Sequence, residues 1–387
     1  MHNRGAIVLA AGGTGGHLFP AQALAEELVR RGHLIHLMSD HRVTQYSGRF
    51  PATQVHEIPS ATLTPRHPWK LPAQLRQLWL GYRKAQAVLR ELAPEAVVGF
   101  GGYPAVPPLL AASSLGLPMA LHEQNAVMGR ANRFLASRAN LIASSFSDIV
   151  NLEPRHRAKV VVTGNPVRQT VLDAAARAYT PPDPEAHFRL VVFGGSQGAR
   201  FFSELMPGVI EEMPKAVRRR LAIVQQCRPE DLDDVRRAYG RLEVEAELQP
   251  FFADMPQRIA ESHLVICRSG ASSIAELAVI GRPAVLVPLP HSLDNDQLRN
   301  AQAFAAAGAG WVWRQGEFGP GELGAFLTRL RFEKEELATV AAAARSQGGP
   351  DAAERLADAV EGLIGNRKAG AGDATPHKTE DKEMVQG

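Results

Sequence analysis

The stretches IVLAAGGTGGH at residues 7–17 and LVVFGGSQGAR at residues 190–200 decide the fold. Each joins a short apolar run, typical of a buried strand, to a glycine-rich loop and then to a helical pattern. A strand, a glycine loop and a helix form the opening unit of a Rossmann-type doubly wound sheet. Because this unit occurs twice, the sequence predicts an α/β protein with two Rossmann-like domains and a ligand-binding cleft between them.

Short apolar strands alternate with helical patterns along both halves, which predicts parallel sheets covered by helices. The domain boundaries follow from this alternation, with an N-terminal domain at residues 1–165 and a C-terminal domain at residues 166–345. A helix at residues 346–365 is a candidate to pack back on the N-terminal domain, and the polar residues 366–387 are expected to form a disordered tail. The strands are predicted at residues 6–11, 34–39, 96–100, 118–122, 141–144, 160–164, 189–193, 221–225, 243–248, 263–267 and 284–288.

Composition excludes several classes of protein. The 387 residues are 45% hydrophobic and 21% charged, which is enough to bury a core. The formal net charge of +3 is too small for a dedicated nucleic-acid binder. Two cysteines argue against a disulfide framework and a structural zinc site. The uncharged stretch 96–121 could span a bilayer by length, but its prolines and glycines divide it into shorter elements, so a soluble chain is expected.

Two polar groups mark a candidate site in the N-terminal half. The glycine loop before His17 lets the backbone approach an anion, and the following helix offers unpaired amides. At that helix start His17 could accept a proton from a ligand, or it could simply be satisfied by backbone groups. The run HEQN at residues 122–125 ends an apolar strand, where the crevice of a parallel sheet lies.

The C-terminal half offers further candidates, each with a structural alternative. Arg168 follows Asn165-Pro166, interpreted as a helix cap and first turn, so it faces either an anion or water. Glu276 has capping-box spacing from Ser273, and could instead accept hydrogen bonds from the hydroxyls of a ribose. The pair Asp294-x-Asp296 formally matches a metal-binding pattern, yet a helix cap is favoured and no metal site is predicted.

The segment at residues 58–90 contains six basic residues and no Asp or Glu. Apolar residues at helical spacing predict either a core-facing stripe beneath a basic surface or a surface that docks on anionic lipid. The residues assigned to docking are Trp69, Lys70, Leu75, Arg76, Trp79 and Arg83.

Six motifs, taken in order, resemble the MurG family of GT-B glycosyltransferases. They are GGTGGHLFP at 12–20, GFGGYP at 99–104, HEQN at 122–125, GNPVR at 164–168, GGSQGAR at 194–200 and CRSGA at 267–271. The resemblance implies a GT-B fold and an inverting, metal-independent transfer of N-acetylglucosamine from UDP-N-acetylglucosamine. The acceptor would be the sugar 4-hydroxyl of undecaprenyl-pyrophosphoryl-N-acetylmuramyl-pentapeptide, in peptidoglycan synthesis.

The resemblance also implies roles for individual residues. His17 is the first choice for the catalytic base, with Glu123 as its rival or as a ligand of the donor sugar, and Phe252 falls at a backbone contact to uracil. Two departures from the family pattern are Ser272-Ser273, which replace a more apolar pair, and Asp296 before Gln297. The implied donor contacts are Thr14, Gly15, Gly16, Asn125, Arg168, Ser196, Ala271, Ser272, Ser273, Ile274, Ala275, Glu276 and Gln297.

Two other functions remain open from the sequence. An epimerase acting on UDP-N-acetylglucosamine would use the same two-domain cleft without a lipid acceptor. A non-catalytic nucleotide-sugar-binding scaffold would not need His17 or Glu123. If the chain is the transferase, its expected location is peripheral, on the cytoplasmic face of the inner membrane. Its partners would be an anionic membrane surface and other cell-wall synthesis proteins, with no cofactor and no nucleic acid.

Overall fold

The computed structural model describes residues 4–12, 15–41, 50–63 and 67–372. Two all-parallel sheets form, one in each half of the chain. The first contains β1 (Ala6–Ala10), β2 (Leu34–Ser39), β3 (Gln54–Glu57), β4 (Ala96–Gly99), β5 (Met119–Glu123), β6 (Leu141–Ser144) and β7 (Val160–Val162). The second contains β8 (Phe188–Phe193), β9 (Leu221–Gln226), β10 (Glu245–Gln249), β11 (Leu264–Cys267), β12 (Ala284–Leu286) and β13 (Gly310–Val312).

Strand order confirms the predicted pair of Rossmann-like domains. The seven-stranded sheet has the order β3-β2-β1-β4-β5-β6-β7, and the six-stranded sheet has the order β10-β9-β8-β11-β12-β13. In each sheet the chain starts at a central strand, builds outward on one side and then crosses to the other. This reversal leaves a crevice at the carboxyl ends of the central strands, where ligands of open α/β sheets bind.

Helices cover both faces of each sheet. In the first half they are α1 (Gly15–Arg30), α2 (Leu71–Leu92), α3 (Val106–Ser114) and α4 (Arg130–Leu135), whereas α5 (Gln169–Ala175) follows them in sequence and packs in a buried cluster of the second half. In the second half they are α6 (Gly195–Glu212), α7 (Lys215–Arg218), α8 (Leu232–Arg241), α9 (Met255–Glu261), α10 (Ala271–Ile280), α11 (Asp296–Ala306), α12 (Pro320–Leu330), α13 (Lys334–Ser346) and α14 (Ala352–Gly372). Within the described residues, no helix combines the length and apolar character needed to cross a membrane.

Helix α14 returns from the second half of the chain to pack on the first. Its apolar face, including Leu356 and Val360, lies in one buried cluster with Leu24 and Leu28 of α1. Ion pairs support this packing, since Arg31 contacts Asp358 at 2.6 Å and Glu361 at 2.8 Å. The helix continues past residue 365, its predicted end, so residues 366–372 are helical rather than part of a disordered tail. The remaining tail, residues 373–387, lies outside the described residues.

Differences from the predicted elements concern short or glycine-rich segments. The sequence pattern does not predict β3 and β13, which are partly exposed and have only four and three residues. Helix α1 begins at Gly15, six residues before the predicted start at residue 21. Glycine has low helix propensity, so the pattern predicts a helix only from the first apolar residues onward. The packing of α1 against α10 and α14 extends the helix into the glycine loop.

Candidate active site in the interdomain cleft

The first turns of α1 and α10 meet between the two domains. Helix α10 follows strand β11 and the extended residue Gly270, which acts as its N-cap. Across the cleft, the Ser272 Oγ donates a hydrogen bond to the backbone oxygen of Gly16 at 3.4 Å. The structure therefore brings Gly16 of the first glycine loop and Ser272 of the CRSGA segment together, although 256 positions separate them in sequence.

Arg168 and Glu276 form an ion pair beside these helix starts. The Nη2 of Arg168 lies 3.2 Å from Oε1 of Glu276, and its guanidinium carbon lies 4.1 Å from the centre of the Phe19 ring on α1. Both charged side chains are largely withdrawn from water, with exposures of 25% and 13%. The buried Nε of Arg168 has no hydrogen-bond partner among the described residues. A cation with an unused donor in a cleft is suited to an anionic ligand.

The local backbone corrects two expectations about this pair. Helix α5 begins at Gln169, so Arg168 is its N-cap residue, and Asn165 and Pro166 do not open the helix. Helix α10 begins at Ala271, so Glu276 lies in its second turn rather than in a capping box with Ser273. Burial raises the pKa of the Glu276 carboxyl, and the neighbouring Arg168 opposes that rise.

His17 lies in the first turn of α1 and faces the end of β5. Its Nδ1 lies 3.3 Å from Oε1 of Gln124. Burial lowers the pKa of the imidazole from its ordinary value of 6.5, while hydrogen bonding to Gln124 and Phe100 and the charge of Asp296 act in the opposite direction. A neutral imidazole at a cleft can accept a proton, which is the role required of a general base.

Glu123 is enclosed rather than presented to the cleft. The residue is 1% exposed. One carboxylate oxygen accepts a hydrogen bond from the backbone N–H of Asn125 at 3.1 Å, and the other accepts from the N–H of Gly129 at 2.9 Å and from Asn132 Nδ2 at 2.8 Å. Burial raises its pKa, and these donors oppose the rise. The carboxylate thus holds the loop after β5, which favours His17 over Glu123 as the group that meets substrate.

Asn300 on α11 ties the two domains together, and no sequence pattern singled it out. It is fully buried. Its Oδ1 accepts from the backbone N–H of Ala126 at 2.9 Å, while its Nδ2 donates to Asn125 Oδ1 at 3.0 Å and to the oxygen of Ser269 at 3.2 Å. The predicted donor ligand Asn125 is therefore joined to the CRSGA segment through Asn300. A helical asparagine within a polar stretch gives no local signal of such a contact.

Gln297, the second residue of α11, is fixed by two hydrogen bonds. Its Oε1 accepts from the backbone N–H of Leu289 at 3.0 Å, and its backbone oxygen accepts from Ser269 Oγ at 2.8 Å. The N-cap of α11 is Asn295, not Asp294, and Asp294 instead pairs with Arg130 of the N-terminal domain at 3.4 Å. Among the described residues, no group of three or more His, Cys, Asp or Glu side chains is placed to hold a metal ion.

The other predicted donor residues are less informative. Phe252 is buried after β10, with the guanidinium of Arg258 5.5 Å from its ring centre, and no described contact joins it to His17. Ile274 is buried on α10, whereas Ala271, Ser273 and Ala275 are half-buried there. Gly15 is the first residue of α1. Thr14 lies outside the described residues, and Ser196 is placed in the first turn of α6 without a described side chain.

The predicted docking residues form one exposed face, which we call the basic-aromatic face. It comprises Trp69 and Lys70 of the short turn before α2, together with Leu75, Arg76, Trp79 and Arg83 of α2, and all six are exposed. Trp69 and Trp79 are 70% and 56% exposed, and Leu75 is 55% exposed. The alternative of a core-facing stripe is therefore wrong for Leu75 and Trp79, because α2 buries Gly81, Ala85 and Leu89 instead.

Comparison with known proteins identifies relatives of both domains. The glycosyltransferase family 28 N-terminal domain matches residues 7–144, and the glycosyltransferase family 28 C-terminal domain matches residues 189–356. A protein of Rhizobium johnstonii is 51% identical over 94% of this chain and 97% of its own length, and one of Agrobacterium fabrum is 50% identical over 94% and 96%. Both are named UDP-N-acetylglucosamine–N-acetylmuramyl-(pentapeptide) pyrophosphoryl-undecaprenol N-acetylglucosamine transferase.

Solved structures agree with this result. The crystal structure of Acinetobacter baumannii MurG matches with a TM-score of 0.74 and 27% identity, covering 93% of this chain and all of that one. A putative UDP-N-acetylglucosamine 2-epimerase from Listeria monocytogenes matches with a TM-score of 0.68 at 16% identity, over 93% of this chain and 97% of that one. The second likeness shows the shared fold alone.

Proposed function

The chain belongs to glycosyltransferase family 28, within its MurG family, and we propose from this premise that it converts a lipid-linked monosaccharide into a disaccharide. The donor is UDP-N-acetylglucosamine, and the acceptor is undecaprenyl-pyrophosphoryl-N-acetylmuramyl-pentapeptide. The acceptor's 4-hydroxyl attacks the anomeric carbon, the bond from that carbon to the UDP oxygen breaks, and a β-1,4 linkage forms with inversion. This is a step of peptidoglycan synthesis.

One observation carries the proposal: the starts of α1 and α10 meet beside Arg168, a half-buried arginine whose buried Nε is an unused donor. Helix N-termini attract anions through their free amides and dipoles. Arg168 adds a full positive charge and a free Nε–H. Together these groups would hold the diphosphate and stabilise the charge that develops on it as UDP departs. Glu276, beside them, is placed to accept hydrogen bonds from ribose.

The proposed base is His17. Its neutral imidazole would take the proton of the attacking hydroxyl, so that the nucleophile gains negative character as the bond to UDP weakens. Positioning of both substrates in one cleft contributes separately, because it removes much of the entropic cost of a two-substrate reaction. Glu123 would serve the same chemistry indirectly, by fixing the loop that carries Gln124 and Asn125.

The acceptor's polyprenyl tail requires the enzyme to work at a membrane surface, and the basic-aromatic face is suited to it. At 100° per residue, Leu75, Arg76, Trp79, Leu80 and Arg83 fall within an arc of about 140° on α2. Exposed Trp and Leu can enter the interfacial region while Arg and Lys contact anionic headgroups. This supports a peripheral location on the cytoplasmic face of the inner membrane, where other cell-wall synthesis proteins could be further partners.

A transfer assay tests the reaction. Purified chain is incubated with UDP-N-acetylglucosamine radiolabelled in the sugar and a short-chain polyprenyl-pyrophosphoryl-N-acetylmuramyl-pentapeptide, and the products are separated by chromatography. Labelled lipid-linked disaccharide, formed only when acceptor is present, is expected. Acceptor-independent release of an epimerised sugar would support the epimerase instead, and donor binding without turnover would support a scaffold.

A vesicle-binding experiment tests the docking face. The double variant Lys70→Glu with Arg76→Glu should sediment with phosphatidylglycerol-containing vesicles much less than the unaltered chain does, since each basic residue near such a surface contributes about 1 kcal/mol. Arg241→Glu with Lys334→Glu changes the net charge equally at exposed sites of the C-terminal domain and is the matched control. Equal binding by the two double variants would reject the docking face.

A further inference from the structure

We infer that Gln124 and His122 are positioning residues that hold His17 in the tautomer with hydrogen on Nδ1 and a free lone pair on Nε2. The inference rests on the proposed function, since it explains how His17 is prepared to act as its base. It is drawn from a hydrogen-bonded chain that runs from the linker at Gly164, through β5, to the first turn of α1.

The orientation of the Gln124 amide follows from its neighbours. Its Nε2 lies 3.0 Å from the backbone oxygen of Phe100 and 3.2 Å from that of His122. Carbonyl oxygens only accept hydrogen bonds, so the NH2 group must occupy this side of the amide. The opposite assignment would place an oxygen against two oxygens in a site where the Gln124 residue is 2% exposed. Oε1 therefore faces α1.

His122, earlier in the same series of hydrogen bonds, requires the same orientation of the Gln124 amide. Its Nε2 lies 3.0 Å from the backbone oxygen of Gly164, so this nitrogen carries the hydrogen. Its Nδ1, 3.0 Å from Gln124 Nε2, is then an acceptor and requires a donor on the glutamine. Burial lowers the pKa of His122 to about 4, which keeps the ring neutral and in this single arrangement at neutral pH.

The tautomer of His17 follows from this orientation. Oε1 of Gln124 can only accept, so the hydrogen between it and the His17 Nδ1 belongs to the histidine. The Nε2 of His17 then carries a lone pair. Gly102 keeps this edge of the ring clear, because a Cβ at that position would lie 3.3 Å from Nε2 and 3.1 Å from Cδ2, at a backbone φ of +70°. Thus the basic nitrogen of His17 is Nε2, which forms no hydrogen bond with a side chain among the described residues.

Nitrogen NMR of the full chain tests the inference without substrate. With 15N-labelled histidine, the His17 signals are assigned by their loss in His17→Ala, and the two ring nitrogens are distinguished by their chemical shifts. The unaltered chain should show hydrogen on Nδ1 at neutral pH. Hydrogen on Nε2 instead would overturn the inference, and this measurement requires no substitution of the glutamine.

Two substitutions separate positioning from a merely structural role. Gln124→Leu removes the acceptor, so His17 should lose its single tautomer and kcat should fall, by less than the roughly 10²- to 10⁴-fold expected for loss of the base itself, with little change in KM for the donor. Gln124→Glu keeps the acceptor oxygen toward His17, but its second oxygen faces the carbonyl oxygens of Phe100 and His122, so we expect this buried carboxyl to carry a proton on that side and the Nδ1–H tautomer of His17 to persist. Asp296 and His122 are the other titratable groups that act on His17, and both remain in each variant.

The control is Gln86→Leu, which removes another hydrogen-bonded glutamine, on α2, and should leave the tautomer unchanged. Retention of the wild-type tautomer in a folded Gln124→Leu variant would overturn the positioning role. The NMR measurement of the tautomer requires no turnover. Failure of the positioning inference can therefore be distinguished from failure of the proposed transferase function. A chain that shows the Nδ1–H tautomer but transfers no sugar would refute the proposed function and leave the positioning intact.

Discussion

Glu123 and Glu276 are carboxylates near the cleft, one in each domain; Glu123 is buried and Glu276 half-buried, and burial raises the pKa of both. Their partners differ in kind. Glu123 accepts hydrogen bonds from neutral donors, namely two backbone amides and the side chains of Asn125 and Asn132, all within its own domain. Glu276 is held by the charge of Arg168, which follows the linker between the domains.

This difference separates Glu123, which holds its own loop, from the ion pair of Arg168 and Glu276, which a ligand can replace and which we call the exchangeable pair. Glu123 is saturated by hydrogen-bond donors of its own domain, and its carboxylate is closed off from solvent. Arg168 and Glu276 retain some exposure and meet through a single contact at 3.2 Å, so a bound nucleotide can take over either side chain. The two carboxylates therefore serve different purposes. Hydrogen-bond donors of its own domain saturate Glu123, whereas Glu276 has a single contact with Arg168.

The largest effect should come from His17→Ala, which tests whether the saturated Glu123 can substitute as base. We expect kcat to fall by about 10²- to 10⁴-fold, since general base catalysis contributes that much, while donor affinity changes little. In the unaltered enzyme the pKa of His17 is below 6.5, so the base form persists at neutral pH and kcat/KM should decline only as pH falls below that value. Steady-state kinetics against pH measure both. Activity of His17→Ala near the wild-type level at pH 7 would move the base assignment elsewhere.

The second prediction concerns the saturated carboxylate itself. Glu123→Ala leaves the backbone N–H groups of Asn125 and Gly129 without this acceptor and removes one of the two acceptors of Asn132 Nδ2, so the free energy of unfolding should fall by about 3 kcal/mol, the cost of unsatisfied buried donors. Urea denaturation measures this change. Glu276→Ala is the matched comparison and should cost less, because the partly exposed Arg168 can be hydrated. Equal losses in the two variants would contradict the distinction between them.

The third prediction concerns the exchangeable pair. Glu276→Ala should weaken UDP binding by about 1–3 kcal/mol, because a charged acceptor for the ribose hydroxyls is lost. Calorimetric titration with UDP and with uridine separates the two roles of the pair. A ribose role predicts that both ligands weaken. Unchanged affinity for both in a folded variant would leave Glu276 only as the structural partner of Arg168.

Much of the fold could be predicted from the sequence because its signals are local. Most strands at the centre of a sheet are short apolar runs, whereas β3 (QVHE) contains three polar residues and β13 (GWV) has only two apolar residues after a glycine. Short local motifs likewise identified His17, Arg168 and Glu276 as candidate site residues. They could not show that Arg168 meets Glu276, 108 positions away, or that Glu123 is enclosed by Asn132. Contacts of that kind depend on how the domains and loops pack.

Asn300 is the clearest example of such a contact, and it yields the smallest predicted effect. Its amide joins Asn125 and Ala126 of the N-terminal domain to Ser269 of the C-terminal domain. Asn300→Ala leaves the Ala126 N–H unpaired and should lower the free energy of unfolding by about 1–2 kcal/mol. It should also loosen the relative placement of the domains, which small-angle X-ray scattering would record as a larger radius of gyration.

Arg130→Ala is the control for Asn300, because it removes a second polar link between the domains, from the start of α4 to Asp294 before α11. The pair of Arg130 with Asp294 is 3.4 Å long, and the Arg130 side chain is 62% exposed. Exposed ion pairs contribute about 0–1 kcal/mol, so this variant should keep nearly all its stability and its scattering profile. If Arg130→Ala opened the molecule and Asn300→Ala did not, the domains would be held by surface charge rather than by the buried amide. The saturated loop after β5 would then act independently of the C-terminal domain.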